Sequence, residues 1–384
     1  MIPAVASTPS LVELEAVKIR ALATGLRIEP DLLERLGGQE GLTVHEYATT
    51  GGITLELPHG MLVNAPFDAP YCATSDLLLR PDGDALVLEA ESPAVRIPVR
   101  RVLPLPGYLG VLDAADRPVA DTTMSHADRI RVSPIDGCAY DCDFCNVARL
   151  RYRERPLDQV LAGIEVAIAD RALPPTHLLI SGGSPSLGNA RGQAYFRDLC
   201  VGVLRHLRGR TNPDGSPFEV DIMMSARPDG PAFVREMVAE GAAGFSLNVE
   251  VHSDEGAARH LRLKHRKSRE HLGPMLEEAA ALLGADTGRV RSLIIPGLET
   301  VEQTLAGVEW LAARGCSPVL SPFRPAPDTA LETADPVSEA DLRAVLDGTR
   351  AIVARTGVLL GPRCVACGHN TLGFPWDLPG WEAA

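Results

Sequence analysis

The sequence predicts an α/β protein: a complete or partial (β/α) barrel of the TIM type, with an α+β accessory domain at its N-terminus. Two observations carry this expectation. From about residue 130, apolar strand-like runs alternate with amphipathic helical stretches, and βα units in series imply a parallel sheet. No G-x-G-x-x-G follows the first of these strands, which disfavours a dinucleotide-binding sheet.

The expected strands are "RVSPI", "THLLIS", "FEVDIMMS", "GFSLNVEV", "RVRSLIIPG" and "SPVLSPF", with "GVLLG" at 357–361 as a candidate seventh. Between them, "RPLDQVLAGIEVAIAD" has Pro156 near its start and sets Leu157, Val160, Leu161, Ile164 and Ile168 on one helical face. "TVEQTLAGVEWLAARG" opens with Thr300-x-x-Gln303, a capping box, and closes at Gly315. The division expected is an accessory region over 1–125, a barrel core over 126–325 and a C-terminal segment over 326–384. In the accessory region, Ser10-x-x-Glu13 caps a helix, and "DLLLR" and "ALVLEA" flank the turn "PDGD" as a hairpin.

Composition narrows the function. With 37 basic and 50 acidic residues the net charge is −13, which disfavours a nucleic-acid partner, and an aromatic content of 4% disfavours base stacking. The N-terminal stretch has no signal-peptide pattern and no run is long and apolar enough to span a membrane, so the expected location is the cytoplasm. There the clustered cysteines are expected to be metal or redox ligands rather than disulfides.

Three of the 8 cysteines, Cys138, Cys142 and Cys145, fall in "SPIDGCAYDCDFCNVARL" as C-x3-C-x2-C, directly after the first strand. Structural zinc wants four protein ligands. Three thiolates on one short loop suit three irons of a [4Fe–4S] cube, with the fourth iron open to a small molecule. A zinc knuckle completed by a distant ligand is the alternative. The active site of a βα barrel lies at the C-terminal ends of its strands. That end should gather the cysteine loop, "SGGSPS" after the second strand and "PRCVACGHN" after the candidate seventh.

The C-x3-C-x2-C loop, with aromatic Phe144 before the last cysteine, resembles the signature of the radical S-adenosylmethionine (SAM) superfamily over roughly residues 128–325, loosely on its biotin synthase and lipoyl synthase side. The resemblance implies that the open iron chelates SAM and that reductive cleavage yields a 5′-deoxyadenosyl radical. It further implies an electron donor such as flavodoxin or ferredoxin. Phe144 would lie near the adenine. Gly182 and Gly183 match the family's Gly-Gly-Glu, which receives the SAM amino group, but Ser184 replaces the acid. Ser225 and Arg227 would meet the ribose or carboxylate of SAM, and the backbone around Ile295 and Gly297 its adenine.

Period-two alternation in "FSLNVEVHSD" puts Ser246, Asn248, Glu250 and His252 on one face. Asn248 and Glu250 are expected near SAM or substrate, and His252 at the rim. Lys264 and, past the sixth strand, Arg324 are candidates for an anionic substrate. Cys364 and Cys367 form a redox pair, ligands of an auxiliary cluster or part of a zinc site, with His369, Cys316 or Cys72 as further candidates. Cys200 is expected in the core.

The expected function is therefore hydrogen abstraction from a small metabolite, leading to rearrangement, oxidation or bond formation. Transfer of the aminocarboxypropyl group of SAM, or a non-enzymatic iron–sulfur or zinc sensor, are the alternatives.

Overall fold

Seven strands form the main sheet of the computed structural model, which describes residues 9–43, 51–91 and 94–382, the side chains of 265–268 excepted. They are β1 (Thr123–His126), β2 (Arg129–Val132), β3 (His177–Ile180), β4 (Glu219–Met224), β5 (Gly244–Leu247), β6 (Val290–Ile294) and β7 (Ser317–Leu320). Their order in space follows the chain, from β7 at one edge to β1 at the other. β2 to β7 are parallel, and β1 runs antiparallel to β2. These six parallel strands are the six read from the sequence.

Each crossover is helical. α2 (Leu157–Ile168) follows β2, α3 (Ala190–Leu207) follows β3 and α4 (Gly230–Glu240) follows β4. α5 (Asp254–His260) and α6 (Arg262–Leu283) follow β5, α7 (Val301–Ala312) follows β6, and α8 (Glu339–Thr356) follows β7. A parallel sheet wrapped by its own crossover helices is the arrangement of a partial TIM-type barrel. The α2 stripe differs from the expected one. Val160, Gly163, Ile164 and Ala167 are buried, while Leu157 is exposed at the first turn. Thr300 and Gln303 close the capping box of α7 as the sequence implies.

The N-terminal region packs on this frame. The first helix, α1 (Leu11–Thr24), capped by Ser10 and Glu13, is buried along Leu14, Val17 and Leu22. A three-stranded and a four-stranded sheet follow, and the second contains the expected hairpin, with Leu79 opposite Leu88. The apolar side chains of this region and of the barrel form one continuous core, so the two share their hydrophobic stabilisation. Residues 1–8, on which the reading of the extreme N-terminus rests, lie outside the described residues. Among the described residues no helix is long and apolar enough to cross a membrane.

The candidate seventh strand is not one. Residues 357–361 have no regular structure: Gly357 ends α8 in the left-handed region (φ 80) and Pro362 has no N–H to continue a ladder. The segment is still attached at the edge of β7. The Gly361 N–H donates to Pro318 O, and the Leu372 N–H donates to Leu320 O.

Candidate active site

The cysteine loop leaves the C-terminal end of β2 and is shaped by glycines. Gly137 (φ 63) turns the chain immediately before Cys138. From the neighbouring strand β3, Gly182 (φ 115) and Gly183 bring a second loop against it. A Cβ on Gly183 would lie 1.5 Å from Gly137 O, so only glycine permits the approach. Two backbone contacts fasten the loops. The Ala139 N–H donates to Ser184 O (3.0 Å), and the Ser184 N–H donates to Cys138 Sγ (3.4 Å).

All three cysteines are partly buried and free. Burial pushes the Cys142 and Cys145 thiols up, Cys145 to about 11; Cys142 also feels the charge of both other loop thiols, and Cys145 that of Cys138. Buried thiols with raised pKa values are inert as nucleophiles, and a bound metal ion deprotonates them outright. The donors are three soft sulfurs on one loop, with a backbone N–H aimed at one of them. This set fits an iron–sulfur cluster held by three cysteines.

Beside the loop stands a buried ion pair. Lys264 Nζ, from the first turn of α6, lies 2.6 Å from Glu250 Oε1. Burial alone would lower the Lys264 ammonium, but the Glu250 carboxylate outweighs it and holds the group up at about 12. Glu250 sits just past β5 with φ 62, a left-handed conformation uncommon for a glutamate. Backbone bonds to Leu293 and Ile295 fix it there. Tyr140, within the loop, pairs with Ser225 at the end of β4, and burial raises its phenol. Asp143 accepts from Arg262 (2.6 Å) and approaches His260 (3.4 Å), binding the loop to α5 and α6.

Residues 132–321 match the Radical SAM superfamily model. The chain belongs to the radical SAM superfamily. By that membership it is an enzyme with SAM and iron–sulfur binding. No curated protein matches the chain. Among solved structures it is similar to HydG, a maturase of the [FeFe]-hydrogenase (15% identity, TM-score 0.49, 65% of this chain and 56% of that one). It is also similar to a radical SAM methyltransferase from Sphaerobacter thermophilus (17%, TM-score 0.43, 77% and 80%). A third is the Escherichia coli coproporphyrinogen III oxidase HemN (18%, TM-score 0.36, 48% and 41%). The chain thus spans about half the length of HydG and less of HemN.

Within this radical SAM domain the expected site residues divide into two groups. Cys138, Cys142, Cys145, Gly182, Gly183, Ser184, Ser225, Asn248, Glu250, Ile295 and Gly297 all lie on loops or strand ends at the C-terminal side of the sheet. Asn248 Oδ1 accepts from Ser246 Oγ (2.9 Å) and from the Leu293 N–H (3.1 Å), bridging β5 and β6. Gly297 (φ 103) packs tightly on Phe323 and Val337. Phe144 packs, with Cys142, on the small cluster of Val251, Ala257 and Leu261 beside α5.

Three expectations change. His252 does not share the face of Glu250: its ring stands 6.0 Å from Trp310 and presses on Gly307, both on α7. Strand alternation needs extended backbone, and the left-handed Glu250 interrupts it. Arg227 is fully buried in the helical layer, doubly bonded to Asp229, donating to Gln193 O and lying 4.3 Å from the Phe233 ring. These partners occupy the guanidinium fork.

Arg324, also buried, donates to Asn64 Oδ1 (2.9 Å) and Asn64 O (2.6 Å). It lines a cavity of about 250 Å³ between residues 66–71 and 324–328, next to Asn146. Cys364 and Cys367 are at the wrong end of the barrel for the site. Their neighbours are Asp128, just before β2, and His177, the first residue of β3. The cluster loop begins past the opposite ends of the same strands, about 13 Å away at strand rise. Without a seventh strand, nothing carries residues 362–369 to the C-terminal mouth. Cys200 and Cys316 are buried in the core, and Cys72 packs on Gly25.

The sequence reading missed Tyr140, Asn146 and the pairing of Lys264 with Glu250. Tyr140 and Asn146 were signalled by position alone, inside or next to the cysteine motif. The pair joins residues 14 apart through a helix turn that periodicity does not reveal.

Proposed function

We propose that this chain binds a [4Fe–4S] cluster at Cys138, Cys142 and Cys145, and SAM over the loop of Gly182, Gly183 and Ser184. On this reading a small anionic metabolite occupies the cavity beside Asn146. When bound, the cluster and SAM supply a one-electron cleavage that generates the hydrogen-abstracting radical. The observation that carries the reading is the contact of the two loops through Gly183 and the Ser184 N–H on Cys138 Sγ.

The chain's own residues then have separable tasks. Ser184 offers its hydroxyl to the SAM amino group as a neutral hydrogen-bond partner where a carboxylate would add charge. The Glu250–Lys264 pair keeps a compensated charge pair next to Cys142, without a free ion to attract water.

Arg324 brings positive charge to the cavity wall and donates to two neutral oxygens of Asn64, which supports an anionic substrate there. Asn146 Oδ1, on the residue after Cys145, is buried without a hydrogen-bond partner among the described residues and supports a polar ligand there. The cavity walls at residues 66–71 give the N-terminal region a task, closing the substrate side of the site.

The test is anaerobic turnover of SAM with dithionite after cluster reconstitution. 5′-Deoxyadenosine is expected from the wild type and none from the Cys138→Ala, Cys142→Ala, Cys145→Ala triple variant. Methylthioadenosine as the sole nucleoside product would instead point to aminocarboxypropyl transfer. Cleavage surviving in the triple variant would sink the reading.

A further inference from the structure

At the N-terminal ends of the strands, four side chains from three separate segments converge. Asp128 precedes β2, His177 opens β3, and Cys364 and Cys367 lie on the segment after α8. One ligand atom from each lies within 4.8 Å of all the others. Two separations are shorter: His177 Nε2 to Cys367 Sγ is 3.0 Å, and Cys364 Sγ to Asp128 Oδ1 is 3.6 Å. We infer that these four residues form a structural zinc site on the face of the barrel opposite the SAM site.

The donor set decides the metal. Tetrahedral zinc takes thiolate, imidazole and carboxylate at about 2.0–2.3 Å, which places ligand atoms roughly 3.3–3.8 Å from one another. The observed separations, from 3.0 Å up to at most 4.8 Å, bracket that range, so seating the ion asks only for small side-chain adjustments. An iron–sulfur cluster suits a wider set of thiolates, whereas two thiols, one nitrogen and one oxygen around a single point suit one ion. A dithiol redox pair would need neither the imidazole nor the carboxylate.

The surrounding contacts orient the ligands as zinc requires. Thr176 Oγ1 donates to Asp128 Oδ2 (2.9 Å) and lies 3.1 Å from His177 Nδ1. With the proton on Nδ1, His177 donates to Thr176, and Nε2 presents its lone pair toward Cys367. The Cys367 N–H donates to Cys364 Sγ (3.4 Å), so the C-x2-C turn is already folded as a knuckle. Binding Zn²⁺ displaces two thiol protons to solvent, leaving one net negative charge on the site. Arg129 and Arg291 lie close enough to stabilise it. A cleft of about 350 Å³ lined by His177, Cys364 and Cys367 gives the ion a way in.

The position assigns the ion a task. The segment that carries the cysteines is fastened to β7 at Gly361 and Leu372, while Asp128 and His177 stand at the feet of β2 and β3. A zinc ion would clasp the last parallel strand to the first two beneath the open barrel.

The test uses the full-length wild type, purified without cluster reconstitution. One zinc per chain should survive gel filtration, and zinc X-ray absorption should show two sulfurs and two lighter ligands. A first shell of four sulfurs, one with none, or a chain that takes up no zinc would overturn the inference. Replacing zinc by Co²⁺ should give thiolate charge-transfer and tetrahedral d–d bands. Those bands should persist in the Cys138→Ala, Cys142→Ala, Cys145→Ala variant and vanish in Cys364→Ser, Cys367→Ser. The opposite pattern would also overturn it. The wild-type absorption experiment decides the matter if the serine variant does not fold.

Discussion

Lys264 Nζ lies 2.6 Å from Glu250 Oε1, Lys264 is buried and Glu250 largely so, and Glu250 holds a left-handed backbone conformation between Leu293 and Ile295. Breaking such a pair leaves an uncompensated buried charge. Lys264→Met is expected to cost roughly 3–5 kcal/mol of stability, and adding Glu250→Gln should recover much of that loss. Anaerobic chemical denaturation of the two single variants and the double variant tests this. Additive losses would mean that the two side chains do not act as a pair.

Gly183 makes the contact between the cluster loop and the β3 loop. Gly183→Ala should separate the loops, because its Cβ would overlap Gly137 O at 1.5 Å. The expected result is loss of most iron after reconstitution, read by iron content per chain. Gly188→Ala, where no atom lies within 4 Å of the added Cβ, is the control that should load normally.

Ser184 separates backbone from side-chain roles. Its N–H and carbonyl hold the Cys138 turn, and Ser184→Ala preserves both. Iron content should therefore be unchanged, while SAM binding weakens by ~0.5–1.5 kcal/mol for one neutral hydrogen bond. Equilibrium titration of SAM measures it. Unchanged affinity would leave the residue as a turn only.

Lys18, in the N-terminal helix, is buried with Nζ 2.8 Å from Gly368 O and 2.7 Å from Gly373 O. Burial pushes it down to about 7, while Asp377 opposes the shift. Arg350, paired with Glu15 and Asp377, faces the same Phe374 ring. A lysine lowered in the folded state is neutral there while the unfolded chain still binds its proton. Stability should thus rise with pH between about 7 and 10, by up to ~1.4 kcal/mol per pH unit. Below about 7 both states are protonated and the dependence ends. Denaturation midpoints of wild type against Lys18→Met across this range should differ in slope. Parallel curves would show that Lys18 does not titrate there.

Local patterns carried most of the frame. Six strands, the capping boxes at Ser10 and Thr300 and the hairpin at residue 83 were legible, because each depends on residues a few positions apart. The cysteine loop and its Gly-Gly partner were legible for the same reason. Position along a strand was also inferable wherever a motif followed a strand that exists.

What failed depended on geometry beyond the local chain. His252 left the expected face because one left-handed residue, Glu250, interrupted the alternation. Arg227 turned its guanidinium to Asp229, two residues on, and to Gln193 O on another helix, which only packing could bring to it. Cys364 and Cys367 moved to the opposite face because residues 357–361 did not become a strand.

By itself the sequence determined the βα order, the three-cysteine loop and the glycines that let a second loop meet it, since these are short-range consequences of residue type and spacing. The tertiary structure alone decided which charges are paired, which end of the barrel the second cysteine pair occupies, and that Asp128 and His177 stand beside it. Those contacts span 187 to 239 positions, from His177 to Cys364 and from Asp128 to Cys367, and no local periodicity encodes a meeting across that distance.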